Sequence, residues 1–396
     1  MIRDLIKICL YYLIILFPKK KTLVFGDRAG RRFADNSRYL FFYLCQNRKD
    51  YKCIWISSNY KIINYLRQKK FLCYHPFSLG GIYYCLTAKY HLYNFVENDV
   101  NKIITELSDS IHLWHGVLPK KIKEIKVKSS KSNQFLYRKV KKFFLYPNEK
   151  LSKNIFDRFP PNKYNLRITN LPRNIIFSNK EINQDMFRTD DEIKYRKILK
   201  ERKKNIFGYF PTWRSDGLEL FRDIEDLNNL EKINKSLEKT NSLMLIKKHM
   251  NSDIKDKNLL YNSEIENLIK YLEKLNNFVF VDYDFDLNSI LDVCDILVSD
   301  YSGVIFDYLY LDRPIITYTP DYNEFEKNVG FMFDPVKNNF TYNAVNINEL
   351  NELILKYSEN KIEFIEKHKD RRNSVKSAIF SESSEMDQII NLIDLK

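Results

Sequence analysis

The chain has 396 residues, 44% hydrophobic and 29% charged, a balance that fits folded domains and excludes a disordered tail or a fibre. That length exceeds one ordinary core and implies two domains, while the net charge of +14 directs attention to anionic partners. The nine glycines form no dinucleotide-type or P-loop motif, and the six cysteines, without CxxC spacing and mostly within apolar runs, read as reduced core thiols of a cytosolic compartment and not as a zinc site.

Residues 5–17 are almost wholly apolar and are followed by Pro18 and by Lys19, Lys20 and Lys21. The run is shorter than the ~20 residues of a spanning helix and carries no small-residue cleavage site. Segment 1–21 reads as an interfacial helix with a basic trailing edge; a buried first helix of the fold and a true anchor are the alternatives, and an inserted helix would keep its lysines cytoplasmic.

From residue 22 the pattern alternates. Strands are expected at 22–26, 53–57, 71–74 and 90–95, with helices at 37–46, 60–69 and 79–89 between them. Alternation of this kind implies a parallel sheet covered on both faces, a Rossmann-like first domain over 22–178. Residues 111–115 form a strand ending in a turn at Gly116, so His112 and His115 point to opposite faces and do not make a metal-ligating HxxH. His115 then lies at the C-terminal end of a strand, where open α/β sheets bind ligands; a core or surface imidazole is the plain reading of it alone. Ten Lys or Arg against one Glu over 120–142 make a solvated basic face, a nucleic-acid contact or a membrane-surface patch, the last agreeing best with the apolar N-terminus.

Residues 179–204 are polar and heavily charged and are expected as the linker. A second domain, 205–346, repeats the alternation with strands at 205–210, 242–246, 278–281, 296–298 and 314–318 and helices near 226–238, 258–275 and 287–293. Segment 347–396 is mostly helical and long enough to return to the first domain. Within the second domain, Ser299-Asp300-Tyr301-Ser302-Gly303 is a turn between a buried strand and a helix over 304–311. A helix N-terminus with hydroxyls and bare N–H groups is an anion site, although Ser302 also suits a simple N-cap. Two α/β domains facing a central cleft, with a short N-terminal apolar helix, describe the GT-B type of architecture.

Four motifs together resemble the CDP-glycerol glycerophosphotransferase family, the primases and polymerases of teichoic acids and related capsule polymers. They are Trp114-His115-Gly116, Pro211-Thr212-Trp213-Arg214, His249, and Ser299-Asp300-Tyr301-Ser302 running on to Phe306-Asp307-Tyr308 and Asp312-Arg313-Pro314. Leu171-Pro172-Arg173-Asn174 and Asp35-Asn36-Ser37-Arg38-Tyr39 are similar to further elements of that family. The chain departs from it at Met250, Gly303 and Val117-Leu118-Pro119, positions that bear on the diphosphate site and the acceptor side.

The resemblance implies transfer of glycerol phosphate from CDP-glycerol to a hydroxyl of a lipid-linked or polyanionic acceptor, with release of CMP, by a peripheral enzyme at the cytoplasmic face of the membrane. His115 is then the expected general base, since an imidazole titrates near the pH at which it must work. Ser299, Ser302, Gly303, Arg214 and Arg173 are expected to bind the donor diphosphate, with the second catalytic imidazole, His249, neutralising charge. Asp300 and Asp307 are expected to orient ribose hydroxyls or an imidazole, with helix capping as the alternative role, and Trp213 to serve packing. No metal or other cofactor is expected, and no nucleic acid. Transfer of ribitol phosphate, a nucleotide-sugar glycosyltransferase, and a non-catalytic binder of membrane or nucleic acid are the competing readings.

Overall fold

The computed structural model describes residues 2–122, 129–202, 204–212, 220–223, 227–247, 263–381 and 385–395. The chain divides into two compact units: Met1–Val117, Lys123–Phe187 and Ile379–Lys396 in the first, Leu118–Ile122 and Arg188–Ala378 in the second.

The first unit is built on seven strands: β1 (Lys20–Gly26), β2 (Lys52–Ile56), β3 (Leu72–Tyr74), β4 (Ala88–Tyr93), β5 (Ser110–His112), β6 (Lys142–Tyr146) and β7 (Asn165–Ile168). All pair in parallel, in the order β3-β2-β1-β4-β5-β6-β7. Leu23, Val24 and Phe25 of β1 and Ile54, Trp55 and Ile56 of β2 are fully buried, the unbroken apolar run required when helices cover both faces. The order reverses between β1 and β4, so the loops after Gly26 and Tyr93 open at a topological switch point.

The N-terminal helix, Ile2–Ile15, is two-faced. Tyr11 and Ile14 enter a core with Ala88, Ile104 and Leu136, while Leu5, Ile6, Tyr12 and Leu13, with Leu16 just beyond, stand in solvent. Among the described residues no helix is long and apolar enough to cross a membrane.

The second unit repeats the wiring with six parallel strands: β8 (Asn205–Tyr209), β9 (Ser242–Ile246), β10 (Phe278–Phe280), β11 (Ile296–Ser299), β12 (Ile315–Tyr318) and β13 (Tyr342–Ala344), in the order β10-β9-β8-β11-β12-β13. Its switch point lies between β8 and β11. Helices Asn228–Lys239 and Ile347–Glu359 cover one face, burying Leu230, Ile233 and Leu237 with Leu350, Ile354 and Tyr357. A strap of the chain, Leu118–Ile122, belongs to this unit: the Pro119 carbonyl accepts from the N–H of Met332 (2.7 Å) and Phe333 (3.0 Å), and Lys121 N–H donates to Gly330 O (2.9 Å).

Several expectations are corrected. Stretch 179–204 contains one passage between the units, after Phe187, and helix Asp190–Glu201 of the second unit fills much of the rest. Thr189 and Glu192 form a capping box, Arg188 and Arg196 pair with Asp292, and Leu199 is buried. The helix expected over 287–293 is a set of turns ending in one 3-10 turn, Leu291–Val293. Asp286 accepts from Asn288 N–H (2.9 Å) and its carbonyl from the Ser289 hydroxyl (2.7 Å), local bonds that compete with helix formation. Strand β13 was not foreseen. Segment 347–396, by contrast, is helical and returns to the first unit as expected: most of it stays with the second unit, while helix Glu385–Asp394 packs Met386, Ile389 and Ile393 into the first and pairs Asp394 with Arg48.

Candidate active site

In the first unit, the residues leaving β1, β4 and β5 are tied by buried polar side chains. Asn94 donates its side-chain amide to Asp27 (2.9 Å), and its side-chain oxygen accepts from the Ser37 N–H (3.0 Å) and hydroxyl (3.1 Å). Burial pushes the Asp27 carboxyl well above the usual range, and the charges of Asp35 and Asp99 add to the effect. Burial likewise raises Asp99 to about 6, against the pull of backbone N–H groups, among them those of Ala29 (2.9 Å) and Phe95 (2.7 Å).

Beyond β5 the chain turns sharply through Trp114 (φ 60°), His115 and Gly116 (φ 132°). Only glycine suits position 116: its φ is left-handed, and a Cβ there would sit 2.6 Å from an Arg173 guanidinium nitrogen. The half-buried His115 ring stacks on Phe95 (centroids 4.3 Å, 21°) and leans on Trp114 (4.1 Å). Phe95 in turn carries the Arg28 guanidinium 3.8 Å from its centroid. His112 is a different kind of histidine. It is buried among the rings of Tyr93, Phe144 and Tyr164, its Nε2 meets the Asn94 carbonyl (2.9 Å), and burial lowers it to about 3, so it stays neutral.

Arg173, expected on the donor diphosphate, belongs to the turn of the first unit. It is 8% exposed; one guanidinium nitrogen donates to Asp35 (2.9 Å) and to the His115 carbonyl (3.0 Å).

In the second unit the exits of β8 and β11 are sewn together. Ser299 is fully buried and its hydroxyl donates to the Phe210 carbonyl (2.7 Å). Asp300 accepts from both the N–H (2.9 Å) and the hydroxyl (2.6 Å) of Thr212. These two side chains shape the turn by holding its walls. Ser302 and Gly303, both partly exposed, lie at its open end. Helix Val304–Tyr308 begins there; the N–H of Val304 reaches the Ser302 hydroxyl only at 3.5 Å, while those of Ile305 and Phe306 donate to the carbonyls of Ser302 (3.3 Å) and Gly303 (3.1 Å). Asp307 is 2% exposed on this helix. Tyr301 underpins the turn by stacking on Phe325 (4.0 Å) and donating to Asp321 (3.0 Å). Lys247, at the end of β9, is committed to the carbonyls of Asp282 and Tyr283.

Arg214 and His249, like Trp213 and Met250, lie outside the described residues. Among the described residues, no group of three His, Cys, Asp or Glu is arranged to hold a metal ion. Sequence reasoning quoted Thr212, Asp35 and Asn36 within motifs without seeing their tasks, and it missed Arg28 and Phe95 altogether; a lone Arg and Phe in loops carry no signal until folding stacks them.

Residues 9–393 match the profile of the CDP-Glycerol:Poly(glycerophosphate) glycerophosphotransferase family. The chain is 28% identical over 354 residues to a teichoic acid poly(glycerol phosphate) polymerase of Bacillus spizizenii, covering 82% of this chain and 80% of that one. It is 24% identical over 382 residues to a teichoic acid glycerol-phosphate transferase of Staphylococcus aureus, covering 90% and 91%. Among solved structures, a variant of the wall teichoic acid polymerase TagF soaked with CDPG superposes with a TM-score of 0.69 at 19% identity, covering 99% of this chain and 95% of that one, which identifies a shared GT-B-like fold. With a match running over nearly its whole length, the chain belongs to the CDP-glycerol:poly(glycerophosphate) glycerophosphotransferase family, a family of enzymes.

Proposed function

We propose that this protein transfers glycerol phosphate from CDP-glycerol to a hydroxyl of a lipid-linked or poly(glycerol phosphate) acceptor in teichoic acid-like or capsular polymer synthesis. The family match over residues 9–393 is the observation that carries this reading. The acceptor oxygen attacks the phosphorus bearing glycerol, its proton passes to His115, and the bond to CMP breaks with its electron pair leaving on CMP. His115 suits the task because it projects from the turn after β5 on a fixed aromatic support. Ser302, Gly303 and the N–H of Val304 at the start of helix Val304–Tyr308 bind the donor diphosphate, aided by Arg214 and His249. Ser299, Asp300 and Thr212 keep that turn in shape.

The exposed apolar face of helix Ile2–Ile15, followed by Lys19, Lys20 and Lys21, supports peripheral attachment to an anionic membrane on the cytoplasmic side. No metal or cofactor enters the reading.

The test is incubation with CDP-glycerol, CDP-ribitol or nucleotide sugars and a lipid-linked acceptor, with product length and CMP followed. CMP should appear from CDP-glycerol, with or without chelator. His115→Ala should lower turnover by about 10²–10⁴-fold while calorimetric donor affinity holds. CMP from CDP-ribitol alone moves the assignment to ribitol phosphate, and release of a nucleoside diphosphate from a sugar donor overturns it.

A further inference from the structure

Three residues in the left-handed backbone region lie around one turn of the first unit: Asp35 (φ 58°), Trp114 (φ 60°) and Gly116 (φ 132°). A non-glycine residue in that region costs on the order of 1 kcal/mol or more and persists only where its surroundings hold it. Here the holders come from two distant stretches. Asn36 donates its amide to the carbonyls of Trp114 (2.9 Å) and Leu113 (3.4 Å), and its own carbonyl oxygen accepts the Arg173 backbone N–H (3.1 Å). Arg173 donates to the third successive carbonyl, that of His115 (3.0 Å), and to the Asp35 carboxylate (2.9 Å). Leu113, Trp114 and His115 are therefore each gripped at the carbonyl, and the two gripping residues are bonded to one another.

We propose that Asp35, Asn36 and Arg173 form a clamp that positions the His115 imidazole, Arg173 acting as a positioning residue and not as a ligand of the donor diphosphate. The inference rests on the reading of His115 as general base. Its chemistry is that of a buried ion pair. One guanidinium nitrogen holds the Asp35 carboxylate and the His115 carbonyl together, so a phosphate that recruited this nitrogen would have to break a buried pair. A general base displaced by about 1 Å loses turnover on the order of 10²-fold without losing donor affinity.

A double-mutant cycle on the full chain tests this. Arg173→Met and Arg173→Lys are each made in the native and the His115→Ala backgrounds, and CMP release from CDP-glycerol, calorimetric donor affinity and thermal melting are measured. Arg173→Met should lower kcat by about 10–100-fold with donor Kd changed less than about threefold. In the His115→Ala background the same change should cost less than about threefold, since the group it positions is gone. Arg173→Lys should recover part of the loss, because one ammonium keeps the charge but not the fork. Equal losses in both backgrounds overturn the clamp, and so does a donor Kd weakened more than about tenfold with kcat intact, which would make Arg173 a direct ligand. If Arg173→Met does not fold, Asn36→Ser, which leaves the ion pair in place, is read in the same cycle under the same criteria. Unchanged turnover of His115→Ala itself overturns the base reading and the clamp with it, whereas additivity with a defective His115→Ala overturns the clamp alone.

Discussion

Ser299 and Asp300 show how much a residue's task depends on what folding puts beside it. In the sequence both belong to a turn before a helix, and both look like ligands; in the fold each is spent on the neighbouring strand exit, at Phe210 and Thr212, some 89 and 88 residues away along the chain. Periodicity and spacing carry no information about such a partner. The same holds for Asn36 and Arg173, 137 residues apart. The histidines make the point in energetic terms. His91 is fully buried between the Cys85 carbonyl (2.9 Å) and the Thr105 hydroxyl (2.8 Å); a carbonyl only accepts, so Nε2 carries the proton and Nδ1 is an acceptor. Burial lowers its pKa from 6.5 to about 3. Between those values the unfolded chain binds one more proton at this site than the folded one, so the His91 contribution to stability falls as pH falls through the window, by ~1.4 kcal/mol per pH unit. His91→Gln, which retains a donor for Cys85, should therefore be destabilised at pH 7 but close the gap to the native protein by about 2 kcal/mol between pH 6.5 and 5 in urea melts. Parallel stability profiles would show that His91 is not held neutral.

At the scale of elements, most of the two sheets was legible, because buried parallel strands are written as unbroken apolar runs and their crossover helices as charged amphipathic ones. What escaped was short or locally contested. Strand β13 has three residues, and the turns around Asp286–Ser289 satisfy their backbone through side chains in a way that imitates a helical pattern. The helix Asp190–Glu201 hid behind its charge, although Thr189-Asp190-Asp191-Glu192 spells a capping box. The N-terminal helix places one face in the core, as the reading of it as a buried first helix has it, and leaves the other open. The faces are separable by mutation. Ile14→Ala should cost about 2–4 kcal/mol by opening a cavity in the first unit. Leu13→Ser, at an exposed site, should leave stability within about 0.5 kcal/mol yet weaken sedimentation with anionic vesicles. Unaltered vesicle binding by Leu13→Ser combined with Leu16→Ser would place the membrane contact elsewhere.

For the whole molecule, the division into two α/β units was legible, and so was a C-terminal segment long enough to return to the first, but the other passages of the chain between the units were not. Linker-like composition marks one place, whereas the units exchange segments at several; only three-dimensional packing assigns Leu118–Ile122 to the second unit and shows that Glu385–Asp394 is the part of the C-terminal segment that rejoins the first. A chain ending at Ser384 would strip the first unit of Met386, Ile389 and Ile393, all at most 1% exposed, each burial being worth about 1.5–3 kcal/mol. Hydrogen exchange should then quicken in β1, β2 and β4 while β8, β9 and β11 keep their protection; uniform loss across both sheets would contradict the division. The strap at Leu118–Ile122 has a consequence of another kind. Since the polypeptide passes from one unit to the other after Val117, Ile122, Phe187 and Ala378, neither unit corresponds to one uninterrupted stretch of gene. A single proteolytic nick anywhere between the units leaves them joined by covalent bonds. Expressing either unit by itself requires splicing, not cutting.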